Sequence, residues 1–120
     1  MLPLVYFSHS LMWVLALNLC PSYDYYTLHG LWPGGEYCRQ NPFRESTIDS
    51  LKPALDKYWP SCPQYHHSNL WLWNHEWTKH GTCSNMSEFD YFSTALNLRE
   101  RAIKEAWCGT ADKECYVCLK

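Results

Sequence analysis

The nine residues HEWTKHGTC, His75–Cys83, are the densest group of chemically active side chains in the sequence. They contain two histidines, a glutamate and a lysine. The aromatic-rich residues just before them favour a helix that continues into this segment. On a helix, residues four apart lie on one face, which pairs His75 with Lys79 and Glu76 with His80. We therefore expect Glu76 to orient and charge-bias His80, while His75 and Lys79 supply donors beside it.

The spacing of these histidines argues against a metal site. Zinc enzymes with an HExxH pattern place their histidines four residues apart, so that both reach one ion. His75 and His80 are five apart, about 140° around a helix, and do not easily share a metal. The pattern favours acid–base chemistry on an anion, with no metal and no cofactor.

A second compact motif, His29-Gly30-Leu31-Trp32-Pro33, supplies another histidine with an aromatic neighbour. Cleavage of an RNA phosphodiester needs a general base for the 2′-hydroxyl, a general acid for the departing 5′-oxygen and a cation near the phosphate. Histidine suits both proton-transfer roles because its ordinary pKa lies near working pH. Trp32 lies three residues after His29 and could stack a base.

The other histidines and tryptophans have ordinary structural explanations. We expect His9, His66 and His67 to be packed or surface residues without catalytic roles. Four other tryptophans are more typical of a hydrophobic core than of a surface on which a base stacks; they are Trp71, Trp73, Trp77 and Trp107. The two histidine motifs are different, because a purely structural explanation would require both of these dense groups of reactive side chains to have arisen by chance.

Short apolar runs predict strands at Trp13–Leu17, Thr27–Trp32 and Cys115–Leu119. Helical spacing of apolar residues predicts a helix over Ser46–Trp59. Pro53 fits poorly inside that helix, so the helix either kinks or begins near Ser50.

Two further helices are predicted. Leu70–His80 is helical toward its end, with Gly81 as its stop. Ser87–Trp107 shows the clearest helical pattern, with a predicted apolar stripe of Phe89, Phe92, Leu96, Ile103 and Trp107.

The first nineteen residues allow two interpretations. They are apolar but contain no Lys or Arg, so a secretory signal would lack its basic start. The run is too short and too interrupted to span a membrane. We favour a buried first strand over part of a signal, and we expect one domain over residues 1–120.

Composition excludes several classes of protein. Seven Trp, nine Tyr and four Phe in 120 residues are too many for a disordered chain. A formal net charge of −2 excludes a polybasic arm, although a cleft can be locally positive. Seven cysteines indicate disulfides and an oxidising compartment, and the odd number leaves at least one thiol without a partner in the chain.

The two histidine motifs together resemble the active-site signatures of the ribonuclease T2 family, which includes acid ribonucleases, fungal Rh-type enzymes and plant S-ribonucleases. The similarity extends beyond them. Trp13–Leu17 resembles the first core strand of the family, and Cys115–Leu119 resembles a later strand. The segments 48–60 and 91–99 resemble the helices that flank the second signature.

The resemblance implies an α+β fold with a central antiparallel sheet and packed helices. It implies a metal-independent endoribonuclease that cleaves single-stranded RNA by transphosphorylation through a 2′,3′-cyclic phosphate. By position, His80 would be the general base and His29 the general acid, although these two labels could exchange. His75 would bind phosphate, and Glu76 and Lys79 would stabilise the pentacovalent state.

The base-binding site is less fully specified by the resemblance. Trp32 would belong to it, with Tyr37 as a weaker candidate. The family often has an acidic residue just after the first signature, where this chain has Gly34 and Gly35, so base preference stays open.

The resemblance also implies two disulfides, Cys38–Cys83 and, with a displaced first cysteine, Cys20–Cys62. Cys108, Cys115 and Cys118 then remain, and a local bond among them is one possibility. Asn85-Met86-Ser87 is an N-glycosylation sequon and fits a secreted or endolysosomal or vacuolar glycoprotein.

Family members are usually longer, and the C-terminal strands of the family are not evident here. The principal alternative is therefore a shortened, catalytically impaired variant that binds RNA or a protein partner. A third interpretation is an unrelated disulfide-stabilised binding module. For the leading interpretation we expect a monomer whose partner is single-stranded RNA and not a membrane.

Overall fold

The computed structural model describes residues 13–119 as a three-stranded sheet covered by helices. The strands are β1 (Trp13–Asn18), β2 (Thr27–Trp32) and β3 (Glu114–Leu119). They are antiparallel and lie in the order β2-β1-β3. The predicted α+β class and all three predicted strands are confirmed. Met1–Met12, which hold His9 and most of the possible signal, lie outside the described residues, and among those described no helix is long and apolar enough to cross a membrane.

The helices are α1 (Lys52–Tyr58), α2 (Asn69–Lys79) and α3 (Glu88–Lys104). The prediction of one helix over Ser46–Trp59 is wrong in its first half, where residues 45–51 form a 3₁₀ helix with a break at Ile48. The α-helix begins at Lys52, so that Pro53 falls in its first turn. At this position a proline forfeits no hydrogen bond of the helix, because the first-turn N–H groups have no partner there.

α3 ends at Lys104, before the predicted end at Trp107, and Ala106 has a positive φ of 53°. The predicted stripe is wrong at Phe89 and Ile103, which are exposed. The buried face is instead centred on Tyr91, whose hydroxyl donates to the carbonyl oxygen of Leu31 at 2.7 Å. This bond joins α3 to β2 with Tyr91 on the buried face of the helix, while Phe89 is exposed to water.

The core lies between one face of the sheet and the helices, and it is rich in aromatic side chains. Trp59, Trp73 and Trp77 are buried. Each indole N–H donates to a main-chain carbonyl oxygen, with Trp73 bonded to Trp59 at 2.7 Å. Trp71 was predicted to belong to the core, but this is wrong, since its side chain is exposed.

Three disulfides reinforce this small core: Cys20–Cys62, Cys38–Cys83 and the local Cys108–Cys115. Cys20–Cys62 ties the connection after β1 to the segment after α1. The seventh cysteine, Cys118, is free and exposed on β3. Three disulfides in a chain of this length are consistent with an oxidising compartment.

Candidate active site

A β-bulge in β2 presents His29 away from the core. Ala16 pairs with Gly30 and Leu17 pairs with Leu28, so His29 is the extra residue between the two pairs. A bulge re-aims side chains next to it, and bulges are frequent beside active sites. The indole N–H of Trp59 donates to the main-chain oxygen of His29 at 3.2 Å, which stabilises the irregular turn of the strand.

The end of α2 carries the second motif. The helix starts at an N-cap, Ser68, whose hydroxyl accepts a hydrogen bond from the Trp71 N–H at 2.9 Å. It ends at Lys79, with His80 as the C-cap residue. Gly81 follows because any larger residue would collide with the core: a Cβ there would lie 2.2 Å from the Trp77 ring. His80 is thereby fixed at the junction of the helix and the core.

Trp32 connects the two motifs. Its ring stacks on His80 with centroids 5.1 Å apart, and it meets His29 edge-on with centroids 5.2 Å apart. The two histidines predicted to be catalytic therefore flank a single indole, although they are 51 positions apart in the chain. Tyr116 of β3 also packs against this indole, at 6.0 Å. Trp32 thus lies inside the histidine cluster.

Glu76 is buried and accepts a hydrogen bond from the indole N–H of Trp32 at 2.9 Å. Its sequence-based assignment as the partner that orients His80 finds no counterpart here, since Glu76 bonds to Trp32. Burial raises the pKa of Glu76 to about 7, against the lowering effects of the Trp32 hydrogen bond and of Lys79. The carboxyl is consequently neutral under mildly acidic conditions and ionised above neutrality.

Glu76→Gln is expected to make the protein relatively more stable at alkaline pH. A carboxyl whose pKa is higher in the folded state stabilises fully below its unfolded pKa, near 4.5, and this stabilisation is lost as pH rises through about 7. The difference in unfolding free energy should therefore shift toward the variant by about 3 kcal/mol between pH 4.5 and pH 8. Urea denaturation at both pH values measures it, and parallel pH dependences of the two proteins would contradict it.

His80 is only 8% exposed. Burial, followed by the positive charge of Lys79, lowers its pKa to about 4, although Glu36 acts in the opposite direction. Its Nδ1 is buried and has no hydrogen-bond partner among residues 13–119. The lowered pKa keeps the imidazole neutral at mildly acidic pH, and a neutral imidazole is suited to accept a proton.

His29 differs from His80 in its charged neighbours. Burial lowers its pKa, but Glu114 at the start of β3 raises it again, and Glu114 is the largest effect opposing burial. Tyr116 holds this carboxylate by donating a hydrogen bond to Oε1 at 2.7 Å. An acidic neighbour favours the protonated imidazole, so His29 is better suited than His80 to donate a proton.

His75 and Lys79 are the remaining basic residues of the second motif. His75 and His29 line a common cavity of about 340 Å³. The pKa of His75 is lowered, first by partial burial and then by Lys79 and His67. Lys79 forms an ion pair with Glu36 at 3.5 Å and retains partial exposure. Lys79 lowers the pKa of His29, His75 and His80, so its positive charge acts on all three imidazoles.

Tyr37 lies apart from the cavity that His29 and His75 line. It is 60% exposed and belongs to a separate depression bordered by Thr78 and Thr82. Its main-chain N–H donates to the Lys79 carbonyl oxygen at 2.8 Å, and the adjacent Cys38 is bonded to Cys83. The loop after the first motif is therefore fastened directly to the end of α2.

Removing this link by the double substitution Cys38→Ser/Cys83→Ser is expected to lower the unfolding free energy by about 4 kcal/mol, because the disulfide closes a loop of 45 residues. Chemical denaturation under non-reducing conditions measures the loss. Cys118→Ser is the matched control, since Cys118 is free and exposed. Equal stability of the double variant and the control would contradict the prediction.

The predicted glycosylation site and the expected absence of a metal site concern other parts of the structure. Asn85, the sequon asparagine, is exposed in the turn before α3 with a φ of 62°. Among the described residues there is no group of three or more His, Cys, Asp or Glu side chains that could hold a metal ion.

Sequence reasoning missed the contribution of β3 to the site. Glu114 and Tyr116 reach the histidine cluster because β3 pairs with β1, opposite Asn18 and Ala16. Nothing in the local sequence marks them, since the pairing joins segments far apart in the chain. It also missed the exposure of Trp71, although this residue lies on the same α2 face as His75.

Comparison with known proteins adds a family assignment. The model of the Ribonuclease T2 family matches residues 6–112. Ribonuclease T2 of Danio rerio is 43% identical over 83 residues, which cover 63% of this chain and 34% of the relative. The chain spans about a third of the length of the first curated relatives it matches.

Solved structures show the same fold. Ribonuclease MC1 from bitter gourd seeds is 29% identical with a TM-score of 0.68, over 75% of this chain and 57% of that one. RNase NT in complex with 5′-AMP is 29% identical with a TM-score of 0.66, over 79% of this chain and 61% of that one. The architecture of this chain therefore has counterparts of known structure.

Proposed function

The chain belongs to the ribonuclease T2 family, and from this premise we propose that it is a metal-independent endoribonuclease acting on single-stranded RNA. The observation that carries the proposal is the placement of His29 and His80 around Trp32, with centroid distances of 5.2 and 5.1 Å. Two imidazoles of different protonation tendency packed against one indole supply the acid and the base that general acid–base catalysis requires. The similar RNase NT, solved with 5′-AMP, supports a nucleotide ligand.

In the proposed reaction, His80 removes the proton from the ribose 2′-hydroxyl, and the 2′-oxygen attacks the adjacent phosphorus. The bond from phosphorus to the 5′-oxygen breaks, and His29 supplies the proton that the departing oxygen requires. The products are a 2′,3′-cyclic phosphate end and a free 5′-hydroxyl. The depressed pKa of His80 and the acidic neighbour of His29 favour this division of roles.

The remaining basic groups act on the phosphate. His75 would bind it, and Lys79 would stabilise the additional negative charge of the pentacovalent state. Glu76, neutral at mildly acidic pH, would keep Trp32 in place and could donate a hydrogen bond to a phosphate oxygen. Trp32 and Tyr37 remain candidates for base contacts, and the three disulfides support a secreted or endolysosomal or vacuolar location.

The test is incubation of the purified protein with single-stranded RNA at mildly acidic pH in EDTA, followed by identification of the new 3′ ends. We expect cleavage with cyclic phosphate ends. Abolition of cleavage by EDTA would contradict the metal-free mechanism. Absence of cleavage by folded protein would favour the second candidate, an RNA-binding variant without activity.

A further inference from the structure

A ridge of side chains runs along α2 toward the histidine cluster. Trp71, His75 and Lys79 follow one another at intervals of four residues and lie on one face of α2. His67 precedes the helix at the same interval. The imidazole of His67 stacks on the Trp71 indole with centroids 3.7 Å apart and planes inclined by 10°. On its other side, Trp71 stacks on His75 at 5.0 Å and 5°.

This ridge lies outside the core and beside the proposed reaction site. Trp71 is 45% exposed, unlike the buried Trp73 two residues later. His67, Trp71 and His75 also line the cavity that contains His29. An aromatic surface open to solvent, that of Trp71, therefore lies one helical turn from His75, the histidine assigned to phosphate binding.

Alternating aromatic and cationic side chains are the features by which proteins bind single-stranded nucleic acid: bases stack on the rings and the backbone follows the charges. The His67 imidazole demonstrates that a planar heteroaromatic ring fits flat against the Trp71 face. His67 belongs to an exposed segment next to His66, so the chain does not bury it there.

We propose that the Trp71 face is a stacking site for a nucleobase one position beyond the two nucleotides that the cleaved bond joins, and that this base takes the place of the His67 imidazole. The inference rests on the proposed function, because the cleaved phosphate must lie at His75. A base stacked on an aromatic side chain strengthens binding about 5- to 150-fold. An exposed pair of aromatic side chains is worth about 2- to 12-fold, so the base displaces His67.

A purely structural role would have a different signature. His67 immediately precedes the N-cap Ser68, and a contact between that position and the first turn can fix the start of a helix. Loss of such a contact would lower stability and affect all substrates equally. A stacking site affects only substrates long enough to reach it.

The experiment compares Trp71→Ala with the natural protein on a dinucleotide and on a longer single-stranded RNA. We expect kcat/KM on the longer substrate to fall about 5- to 150-fold, with dinucleotide cleavage changed less than about twofold. Trp71→Phe should retain most of the activity on the longer substrate because it keeps an aromatic face. Leu70→Ala is the matched control, an exposed apolar residue of the same helical turn outside the stack.

His67→Ala tests whether the His67 imidazole is displaced by the base or has a structural role. We expect it to lower KM for the longer RNA and to leave the dinucleotide unchanged; a raised KM for the longer RNA would overturn the proposal. Equal losses on both substrates in Trp71→Ala would overturn it too.

Binding of a single-stranded oligodeoxynucleotide, which lacks the 2′-hydroxyl and is not cleaved, provides a readout independent of catalysis. Fluorescence anisotropy should show weaker binding to Trp71→Ala by the same factor. Unchanged affinity would overturn the stacking site. Normal Trp71-dependent binding without RNA cleavage would instead show that the proposed function has failed.

Discussion

His80→Ala is expected to lower kcat for RNA cleavage by about 10²- to 10⁴-fold, the range that a positioned general base contributes. His80 is buried against Trp32, and its lowered pKa keeps it neutral and ready to accept a proton at the mildly acidic pH of the assay. His29→Ala should show a comparable loss, because the departing 5′-oxygen would have no positioned acid. Steady-state kinetics on single-stranded RNA measure both.

The control for these two variants is His66→Ala. His66 is exposed in the loop before α2 and is outside the ring cluster formed by His29, Trp32 and His80. It should retain full activity. If His29→Ala or His80→Ala retained near-normal kcat in a folded protein, the assigned acid–base pair would be wrong.

The two single variants should also fail to add. Groups that act as a unit in one reaction lose nearly all of their effect when either is removed, so the double variant should be about as slow as the slower single variant. Additive losses would indicate independent roles. The far-ultraviolet circular dichroism of each variant distinguishes a catalytic loss from unfolding.

The strands were predictable because their signals are local. Thr27–Trp32 has the composition of a strand, and the structure places β2 at the same six residues. The bulge at His29 was not predictable, since it depends on the register between β1 and β2 and on the Trp59 hydrogen bond to the His29 carbonyl oxygen. That register is a property of two segments and their shared core.

In the candidate site, too, some features follow from local sequence and others depend on tertiary packing. The identities of its histidines follow from two short motifs, but their environment does not. Helical spacing pairs Glu76 with His80, whereas the structure pairs the Glu76 carboxyl with Trp32, a residue 44 positions away. Local spacing states which side chains can meet on one helix, and the tertiary packing decides which of them do.

Trp71 illustrates why burial was misjudged. A tryptophan in an aromatic-rich helix is usually buried, and Trp73 and Trp77 follow this rule. Trp71 precedes them and is stacked between His75 of the same helix and His67 just before the helix, so its apolar surface is covered in part by polar rings. The sequence contains the spacing of four residues, but no rule of composition distinguishes this face from the buried one.

Gly30→Ala is expected to lower kcat by about 10²-fold, the cost of displacing catalytic groups by roughly 1 Å, and to reduce stability by about 1–3 kcal/mol. A Cβ at this position would lie 2.2 Å from Nε1 of Trp32 and 2.3 Å from Oε1 of Glu76, the two atoms of the hydrogen bond that holds the indole. Both side chains must move. The indole then no longer packs between His29 and His80, and the Glu76 carboxyl loses its partner. Steady-state kinetics and urea denaturation measure the two effects.

Gly34→Ala supplies the matched control, because a Cβ there meets nothing within 4 Å. Its φ of 100° costs some backbone strain, but no catalytic ring moves, so kcat should be retained. A double-mutant cycle locates the cause: in the Trp32→Phe background, which lacks Nε1, adding Gly30→Ala should cost much less than it does in the natural protein. If the two substitutions were additive, the loss would arise from the strand itself, and the close approach of Gly30 to the Trp32–Glu76 pair would not be what holds the two histidines in register.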